Sequence, residues 1–402
     1  MIIFFLILVL TDIYAYRMIG QIRKLKRYVW VYWALNALVY GYFLYSFLDL
    51  DFFGHVLSVY FRAFVITYYF SKFAFIVPLI LDDLRRVVTW IVTRFSKPKQ
   101  AKVGQQSRKR FMQQMSVTLG AAPFMIMSYG VVRNIYRYRV LHQKLQVPDL
   151  HPGLEGLRIV QISDIHSGTF PDREPVLRGI EMINELDPDV FVFTGDLVNS
   201  TADEIDPYID YFSQIQARYG KFSIMGNHDY GDYHGWKSEQ EKFANDLAFV
   251  EKHQLMGWDL LRNEHRNLKI GEGNLSVIGV ENYSTIPRFP RKGDLTEARK
   301  GLGDTDFRLL LSHDPTHWNA EVTTDNQDIH LTLSGHTHGF QFGVEIPGIV
   351  RWSPAQYIYK EWAGLYQTKN QYLYVNRGYG VLGYPGRIGI LPEITFIELE
   401  NA

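Results

Sequence analysis

The sequence predicts an α/β domain that follows an N-terminal, membrane-spanning helical region. Long apolar segments edged with tryptophan and tyrosine fill residues 1–132, as in membrane helices. After residue 150, short apolar runs alternate with helical stretches, which is typical of an α/β fold. We therefore predict three parts: a transmembrane region of about four helices (1–132), a linker with the first strand of the next domain (133–152), and the α/β domain itself (153–402).

The composition narrows the classes of partner and of site. The 402-residue chain balances 42 basic against 42 acidic residues, so its net charge does not favour nucleic acid as a partner. The chain has no cysteine, which excludes disulfides, thiolate metal sites and a cysteine nucleophile.

Four apolar segments are predicted to cross the membrane. The first opens the chain as "MIIFFLILVL" and lacks the basic residues that begin a cleaved signal peptide. The others cover residues 29–48, 56–81 and 111–132. A buried core helix would explain any one of them, but four in series favour membrane helices.

The loops between these segments predict their orientation. Five basic residues lie between the first and second segments and nine between the third and fourth, whereas the second loop has no lysine or arginine. The positive-inside rule places the basic loops in the cytoplasm, and the N-terminus and everything after residue 132 outside it. Four basic residues after the fourth segment oppose this assignment: Arg133, Arg137, Arg139 and Lys144. Residues 107–124 resemble a degenerate twin-arginine export signal, and the basic flank of a membrane helix explains them equally well.

Two basic residues interrupt the third segment. Arg62 lies near its outer end, where a long side chain reaches the interface, whereas Lys72 lies deeper. Asp12 in the first segment is at a similar depth. We therefore predict a structural ion pair between Asp12 and Lys72 rather than a transport pathway.

Six short apolar runs after residue 150 are predicted to be buried strands: "LRIVQIS", "DVFVFTG", "KFSIMG", "LSVIGV", "FRLLLS" and "IHLTLSG". The stretches "EPVLRGIEMINEL" and "EQEKFANDLAFVEKH" are predicted helices between them. Ligands of such folds usually bind beyond the carboxyl ends of the strands.

Aspartate, asparagine and histidine follow five of these strands, in the motifs "SDIHSG", "GDLVN", "GNHD", "SHDP" and "GHTHG". A single motif of this kind is often a turn or a helix cap. Five in register with five strands indicate one shared site. Carboxylate, amide and imidazole ligands without thiolate suit Mn, Fe or Zn. One aspartate can bridge two such cations, which together activate a water and clamp a phosphoryl oxygen.

In this order, the five motifs closely resemble those of the calcineurin-like metallophosphoesterase superfamily, over residues 137–400. The closing segments "NRGYG" and "LPEITFIEL" are similar to those of a membrane-anchored bacterial branch. The resemblance implies a four-layer α/β/β/α sandwich after the membrane region.

The resemblance also implies two divalent cations (Mn, Fe or Zn) and a role for each motif residue. The implied metal ligands are Asp164, His166 and His338 for the first cation, Asn227, His313 and His336 for the second, and Asp196 as the bridge. His228 would protonate the leaving oxygen or stabilise charge in the transition state. Asp229 would orient His228 from outside the ligand shell.

One position departs from the pattern of this branch, because Phe340 replaces the second glycine of Gly-His-Thr-His-Gly-Gly-Gln. The ligands are unaffected, and the change concerns the pocket wall or the local backbone. Arg377 and Arg387 are candidates for a phosphate clamp, with surface or C-terminal packing as the alternative. Four residues after "GNHD" either line a substrate groove or pack as an ordinary loop: Tyr230, Tyr233, His234 and Trp236.

The sequence thus predicts a membrane-anchored phosphoesterase that hydrolyses a phosphodiester or pyrophosphate bond by attack of a metal-bound hydroxide. A lipid-linked substrate is expected because the anchor holds the site near headgroups. The catalytic domain is expected outside the cytoplasm, on the inner or plasma membrane. A phosphomonoesterase or nucleotide phosphatase is the enzymatic alternative, and a non-catalytic membrane binding protein is the other. The substrate, the native metals and the oligomeric state stay open at this point.

Overall fold

The structure is a computed structural model that describes residues 2–22, 25–48, 54–95, 105–346 and 348–402. The chain forms two compact units, Met1–Val131 and Val132–Ala402. Some loop residues used to predict the orientation lie outside the described residues: Arg23, Lys24, Asp49, Asp51, Lys97, Lys99 and Lys102.

Four helices make up the described part of the first unit: α1 (Ile2–Gln21), α2 (Val29–Phe47), α3 (Gly54–Arg94) and α4 (Gln105–Val132). They cover the four predicted apolar segments. The stretches Gly54–Arg94 and Ser107–Tyr136 are long and apolar enough to cross a membrane.

The third helix continues well past the predicted span. It has 41 residues, which is about 60 Å at 1.5 Å per residue, whereas a bilayer core is about 30 Å thick. Arg85, Arg86 and Arg94 therefore lie on this helix rather than in a loop. Basic and apolar residues are both compatible with a helix. The change in hydropathy therefore indicated where the apolar part of α3 ends, but it did not indicate where the helix ends.

The predicted ion pair between Asp12 and Lys72 is confirmed. The Lys72 ammonium contacts the Asp12 carboxylate, and both side chains are buried. Lys72 also donates to Asn36 Oδ1 at 2.9 Å and lies 4.0 Å from the centre of the Tyr68 ring. The Tyr69 hydroxyl donates to Asp12 Oδ2 at 3.2 Å. The pair is thus fully surrounded by polar and aromatic partners of its own unit.

Two six-stranded sheets form the second unit. The first has the order β1 (Arg139–Val147), β14 (Glu393–Asn401), β2 (Arg158–Ile162), β3 (Val190–Phe193), β4 (Gly220–Ser223) and β5 (Asp259–Leu260). The second has the order β12 (Gly364–Thr368), β13 (Gln371–Val375), β9 (Leu331–Ser334), β8 (Phe307–Leu311), β7 (Gly273–Gly279) and β6 (Glu264–Ile270). A separate antiparallel hairpin joins β10 (Val344–Ile346) to β11 (Val350–Trp352).

All six predicted strands are present, as β2, β3, β4, β7, β8 and β9. The helices of this unit are α5 (Glu174–Glu185), α6 (Ile209–Phe212), α7 (Glu239–Leu255), α8 (Leu295–Ala298) and α9 (Thr323–Asp325). The two predicted helices correspond to α5 and α7.

Alternating side chains on the strands build the layers. On β3, Val190 and Val192 face the core between the two sheets, whereas Phe191 and Phe193 pack against α5 and α7 on the other face. On β8, Leu309 lies in the core between the sheets, and Leu310 packs under α8. This period of two on both sheets yields four layers in the order α/β/β/α, as predicted.

Candidate metal centre

Five loops that follow β2, β3, β4, β8 and β9 bring the predicted ligands together. Five of the ligand residues have left-handed backbone conformations, with φ between 47° and 70°: Asp164, His166, Asp196, His336 and His338. This conformation costs a non-glycine residue about 1–2 kcal/mol. Such strain is retained where the surrounding structure holds it for function.

Glycines allow these loops to approach each other. A Cβ added to Gly226 would clash with Asp196 Oδ1, and one added to Gly335 would clash with Asp164 Oδ2. Each of these glycines directly precedes a predicted ligand, Asn227 or His336. Glycine is thus required at these two positions for close packing of the loops.

Asp164, His166 and His338 form the first group. Their ligating atoms lie within 4.8 Å of one another. His338 Nε2 is 3.1 Å from Asp164 Oδ1 and 3.1 Å from His166 Nε2. All three side chains are buried, and their inward-facing nitrogens and oxygens are spaced as ligands of one ion are spaced.

Asp196, His313 and His336 form the second group, within the same 4.8 Å limit. His313 Nε2 lies 3.2 Å from Asp196 Oδ2 and 3.3 Å from His336 Nδ1. The same Asp196 oxygen lies 3.6 Å from His166 Nε2 of the first group. Asp196 Oδ2 therefore lies within 4 Å of a histidine nitrogen from each group.

The surroundings of the Asn227 side chain show that this site is suited to a cation. Its amide nitrogen donates to the Tyr233 hydroxyl at 3.0 Å. Its Oδ1 is buried and has no hydrogen-bond partner within the described part of the chain. An unpartnered buried acceptor costs free energy, and a cation in the adjoining group would satisfy it. The donor set, all oxygen and imidazole nitrogen, fits a divalent Mn, Fe or Zn ion.

The electrostatics of the groups also favour bound cations. Burial disfavours a charged Asp196, but His313, His228 and His166 hold the pKa of its carboxyl well below the usual range. Burial also opposes a charged His313, yet the Asp196 carboxylate raises the pKa of His313 to about 10. The carboxylates therefore attract positive charge into a buried site. Burial lowers the pKa of His166 and His336, so both rings stay neutral and able to ligate.

His228 is half-buried beside the first group, with its ring centre 4.9 Å from that of His166. Its Nδ1 lies 2.8 Å from the Asn199 carbonyl oxygen. A carbonyl only accepts, so Nδ1 carries the proton and Nε2 is the atom available for proton transfer. The His228 backbone N–H donates to Asp196 Oδ1 at 2.9 Å, which ties this residue to the bridge.

Asp229 does not have the contact predicted for it. Its carboxylate accepts backbone N–H bonds from Asp196 and Gly226 at 2.8 Å, and also from Leu197 and Val198. The carbonyl of Asn199, rather than Asp229, orients His228. Asp229 instead holds the loop that carries Asp196, because four N–H donors converge on one buried carboxylate.

Partners outside the two groups orient the ligands, and the sequence did not identify them. The Tyr359 hydroxyl lies 2.8 Å from His336 Nε2, and Asp314 Oδ2 lies 3.5 Å from the same nitrogen. The Thr194 carbonyl accepts from His313 Nδ1 at 2.7 Å. Such partners fix the tautomer of a ligating imidazole. Asp314 adjoins a ligand in the motif "SHDP", but nothing local marks Tyr359.

The two arginines proposed for a phosphate clamp serve C-terminal packing instead. Arg377 pairs with Glu393 and Glu345 at 2.6 Å each. Arg387 is fully buried and donates to backbone carbonyls, including that of Gly378 at 2.9 Å. Both guanidinium groups are therefore held by partners within the second unit.

Among the residues after "GNHD", Tyr233 reaches the site. Its ring centre is 4.5 Å from that of His228. Tyr230 is buried and accepts from the Asn282 backbone N–H at 2.9 Å, and Trp236 donates to a loop carbonyl. Phe289, which the sequence did not single out, packs edge-on against His336 at 4.7 Å between ring centres.

Phe340 occupies the position where the related branch has glycine. Its φ is 51°, in the left-handed region that glycine favours, and its side chain is exposed. Phe340 thus adopts a backbone conformation that glycine favours, and it adds an apolar ring to the surface.

Comparison with known proteins supports the same assignment. The chain matches the family model "Calcineurin-like phosphoesterase" over residues 157–340 and a four-transmembrane phosphoesterase transmembrane-domain model over residues 1–135. It is 29% identical over 300 residues to the uncharacterized metallophosphoesterase YkuE of Bacillus subtilis, covering 73% of this chain and 98% of that protein. It is 32% identical over 283 residues to a Danio rerio transmembrane protein with metallophosphoesterase domain, covering 68% of this chain and 60% of that protein.

The two models match the two units described above, since one covers the apolar helices and the other covers all five ligand motifs. The chain therefore belongs to the calcineurin-like metallophosphoesterases, a family of metal-dependent phosphoester hydrolases, in a form that carries a transmembrane domain.

Proposed function

We propose that this chain hydrolyses a phosphodiester or pyrophosphate bond of a lipid-linked substrate, with two divalent cations at the site. One observation carries the proposal: two buried ligand groups share the Asp196 carboxylate. Asp164, His166 and His338 would hold one cation, and His313, His336 and Asn227 the other. Such a pair supplies a water of lowered pKa and polarises the phosphoryl group.

The half-buried His228 is the proposed proton donor to the leaving oxygen. Its tautomer is set by the 2.8 Å contact between Nδ1 and the Asn199 carbonyl, which leaves Nε2 to hold and release the proton. Its backbone N–H anchors it to Asp196. The ring can therefore act on the leaving group without being a ligand itself.

Aromatic rings around the ligands support a substrate with an apolar or planar portion. Tyr233 packs on His228, while Phe289 and Tyr359 contact His336 through ring edges. Rings at these positions restrict water and orient a phosphoester between them. The lipid link is proposed because the chain carries a transmembrane domain, which keeps the site beside lipid headgroups.

The test uses the purified full-length chain in detergent, with Mn, Fe or Zn added separately. We expect turnover of aryl phosphodiesters or of a pyrophosphate ester to exceed that of aryl phosphomonoesters, with two metals per chain by elemental analysis. Chelation should abolish activity, and metal should restore it. Preference for monoesters at equal metal content would contradict the proposed bond type. One metal per chain at full activity would contradict the dinuclear site.

We also propose that the second unit faces away from the cytoplasm. The basic residues that separate the apolar parts of α1 from α2 and of α3 from α4, together with the even number of helices, support this orientation. Protease added to intact spheroplasts should digest the second unit without lysis. A cytoplasmic marker protein must stay intact in the same sample. Full protection of the second unit until lysis would reverse the orientation.

A further inference from the structure

The hairpin formed by β10 and β11 has an inverted polarity. Glu345, in the middle of β10, turns inward and pairs with Arg139 and Arg377 at 2.6 Å each. Val344 and Ile346, its neighbours on the strand, are exposed. Because side chains alternate along a strand, Glu345 of β10 is turned inward, whereas Val344 and Ile346 on the apolar face point outward. A hairpin on an ordinary soluble surface shows the opposite arrangement.

The outward face continues on both sides of the hairpin. Six large apolar side chains between residues 340 and 357 are 41–81% exposed: Phe340, Phe342, Val344, Ile346, Ile349 and Tyr357. Single exposed apolar residues are normal, but a contiguous group marks an interaction surface. We call these six residues the apolar tip. Ile349, in the turn between the two strands, is the most exposed of them.

Two hydrogen bonds link the loop of the ligands His336 and His338 to the residues that follow the hairpin. The Ser353 hydroxyl, directly after β11, donates to the Gly339 carbonyl at 2.6 Å. Gly339 follows the ligand His338 in the chain. The Thr337 hydroxyl, between two ligands, donates to the Trp362 carbonyl at 2.6 Å. These two bonds tie the loop that carries His336 and His338 to residues that follow the hairpin.

A short segment of the chain limits the distance between the hairpin and the end of the apolar helix α4. Glu345 of the hairpin pairs with Arg139, the first residue of β1. Arg139 lies seven residues after Val132, the last residue of the apolar helix α4. Seven residues of chain span at most about 25 Å. The hairpin is thus tethered within reach of the membrane that α4 enters.

Because the hairpin is linked to α4 by a short segment and its apolar side chains point outward, we propose that the apolar tip inserts into the lipid interface. Its composition fits that environment, because tryptophan and tyrosine concentrate at membrane interfaces, and Trp352 and Tyr357 lie on this segment. The second unit thereby gains a lipid contact separate from the transmembrane helices of the first unit, near the loop that carries His336 and His338. The inference concerns binding alone and does not depend on the proposed substrate.

The absence of cysteine from the chain permits a direct test. Ile349→Cys provides a single attachment point for an environment-sensitive fluorophore on the full-length protein. The labelled protein is placed in nanodiscs of phosphatidylcholine and phosphatidylglycerol, where both membrane faces are accessible. Glu272→Cys is the matched control, because Glu272 lies in a distant turn and its side chain is 93% exposed. Each sample is quenched either by nitroxide-bearing lipids or by aqueous iodide.

We expect the Ile349 probe to be quenched by shallow nitroxide lipids and to be at least fivefold less accessible to iodide than the Glu272 probe. Adding Val344→Asp and Ile346→Asp, which leave the inward Glu345 contacts intact, should raise iodide quenching and remove lipid quenching. Equal iodide access at both positions would overturn the proposal. Protection from both quenchers, with energy transfer between two labelled chains in one disc, would assign the apolar tip to a second copy and also overturn it.

Discussion

The first and second units each bury carboxylates, and they compensate the buried charge in different ways. In the first unit, the Asp12 carboxylate lies against the ammonium of Lys72 and accepts from the hydroxyls of Tyr32 and Tyr69. In the second unit, Asp164 and Asp196 face imidazoles. Within the described residues, no lysine or arginine forms an ion pair with either carboxylate. The buried Arg387 donates to backbone carbonyls instead.

The difference separates structural charge from functional charge. A buried carboxylate paired by its own chain stabilises one packing arrangement and is satisfied without a ligand. Carboxylates that face imidazoles can be neutralised by a bound cation instead, because the rings become metal ligands when they release their protons. Removing one member of each cluster should therefore affect folding in the first unit and metal binding in the second.

The largest effect is expected at the bridge. Asp196→Asn retains an oxygen for the His228 backbone N–H but replaces the shared ligand oxygen, because an amide bridges two cations poorly. We expect activity to fall at least 10³-fold, in line with the loss of metal-assisted catalysis, and both metals to be depleted by elemental analysis. Asp189→Asn is the matched control, since Asp189 is a buried aspartate at the other end of β3. Near-normal turnover with two metals in Asp196→Asn would refute the bridge.

The next effect separates catalysis from metal binding. His228→Ala should lower kcat by about 10²–10⁴, as expected for loss of a positioned proton donor, while metal content stays near that of the unmodified protein. His234→Ala, an exposed histidine in the same loop, serves as control. Loss of a full metal equivalent in His228→Ala would show that His228 is a metal ligand, which contradicts its proposed role as a proton donor.

A third variant tests the structural cluster. Lys72→Met leaves the buried Asp12 without its cation and should destabilise the first unit by about 3–5 kcal/mol, seen as earlier thermal unfolding of the full-length protein in detergent. The double variant Asp12→Leu with Lys72→Met should recover much of this loss, because it removes both charges. Metal content of the second unit should be unchanged in both. An unchanged unfolding temperature in Lys72→Met would show that the pair is not structural.

The smallest expected effect concerns a partner of one ligand. Tyr359→Phe removes the hydroxyl 2.8 Å from His336 Nε2, and loss of such a partner typically weakens metal affinity by about 10–100-fold. Excess metal should restore most of the activity. Tyr372→Phe removes a hydroxyl that donates to the Gln146 carbonyl at 2.7 Å, and it should leave metal titration curves unchanged. Identical titrations for the two variants would exclude a role for Tyr359.

The sequence alone determined the parts of the molecule that depend on local patterns. Apolar runs predicted the four helices of the first unit and six strands of the second. The length and spacing of apolar residues within a short segment distinguish a helix from a strand. The motif glycines and their Asp, Asn and His neighbours identified which residues would meet. These residues are far apart in the sequence: the His336 backbone N–H donates to an Asp164 oxygen across 172 residues. Their proximity was predictable only because the order of the five motifs resembles that of a known family.

Tertiary structure alone decided what depends on contacts between distant segments. The sequence did not reveal that β14 lies between β1 and β2, or that Asn199 rather than Asp229 orients His228. It also did not show that Glu345 of the β10–β11 hairpin is turned inward, because this residue meets Arg139 and Arg377 only in the folded chain. The physical reason is the same in each case: backbone carbonyls and ion-pair partners have no local signature, and the arrangement of strands chooses which of them come within hydrogen-bonding distance.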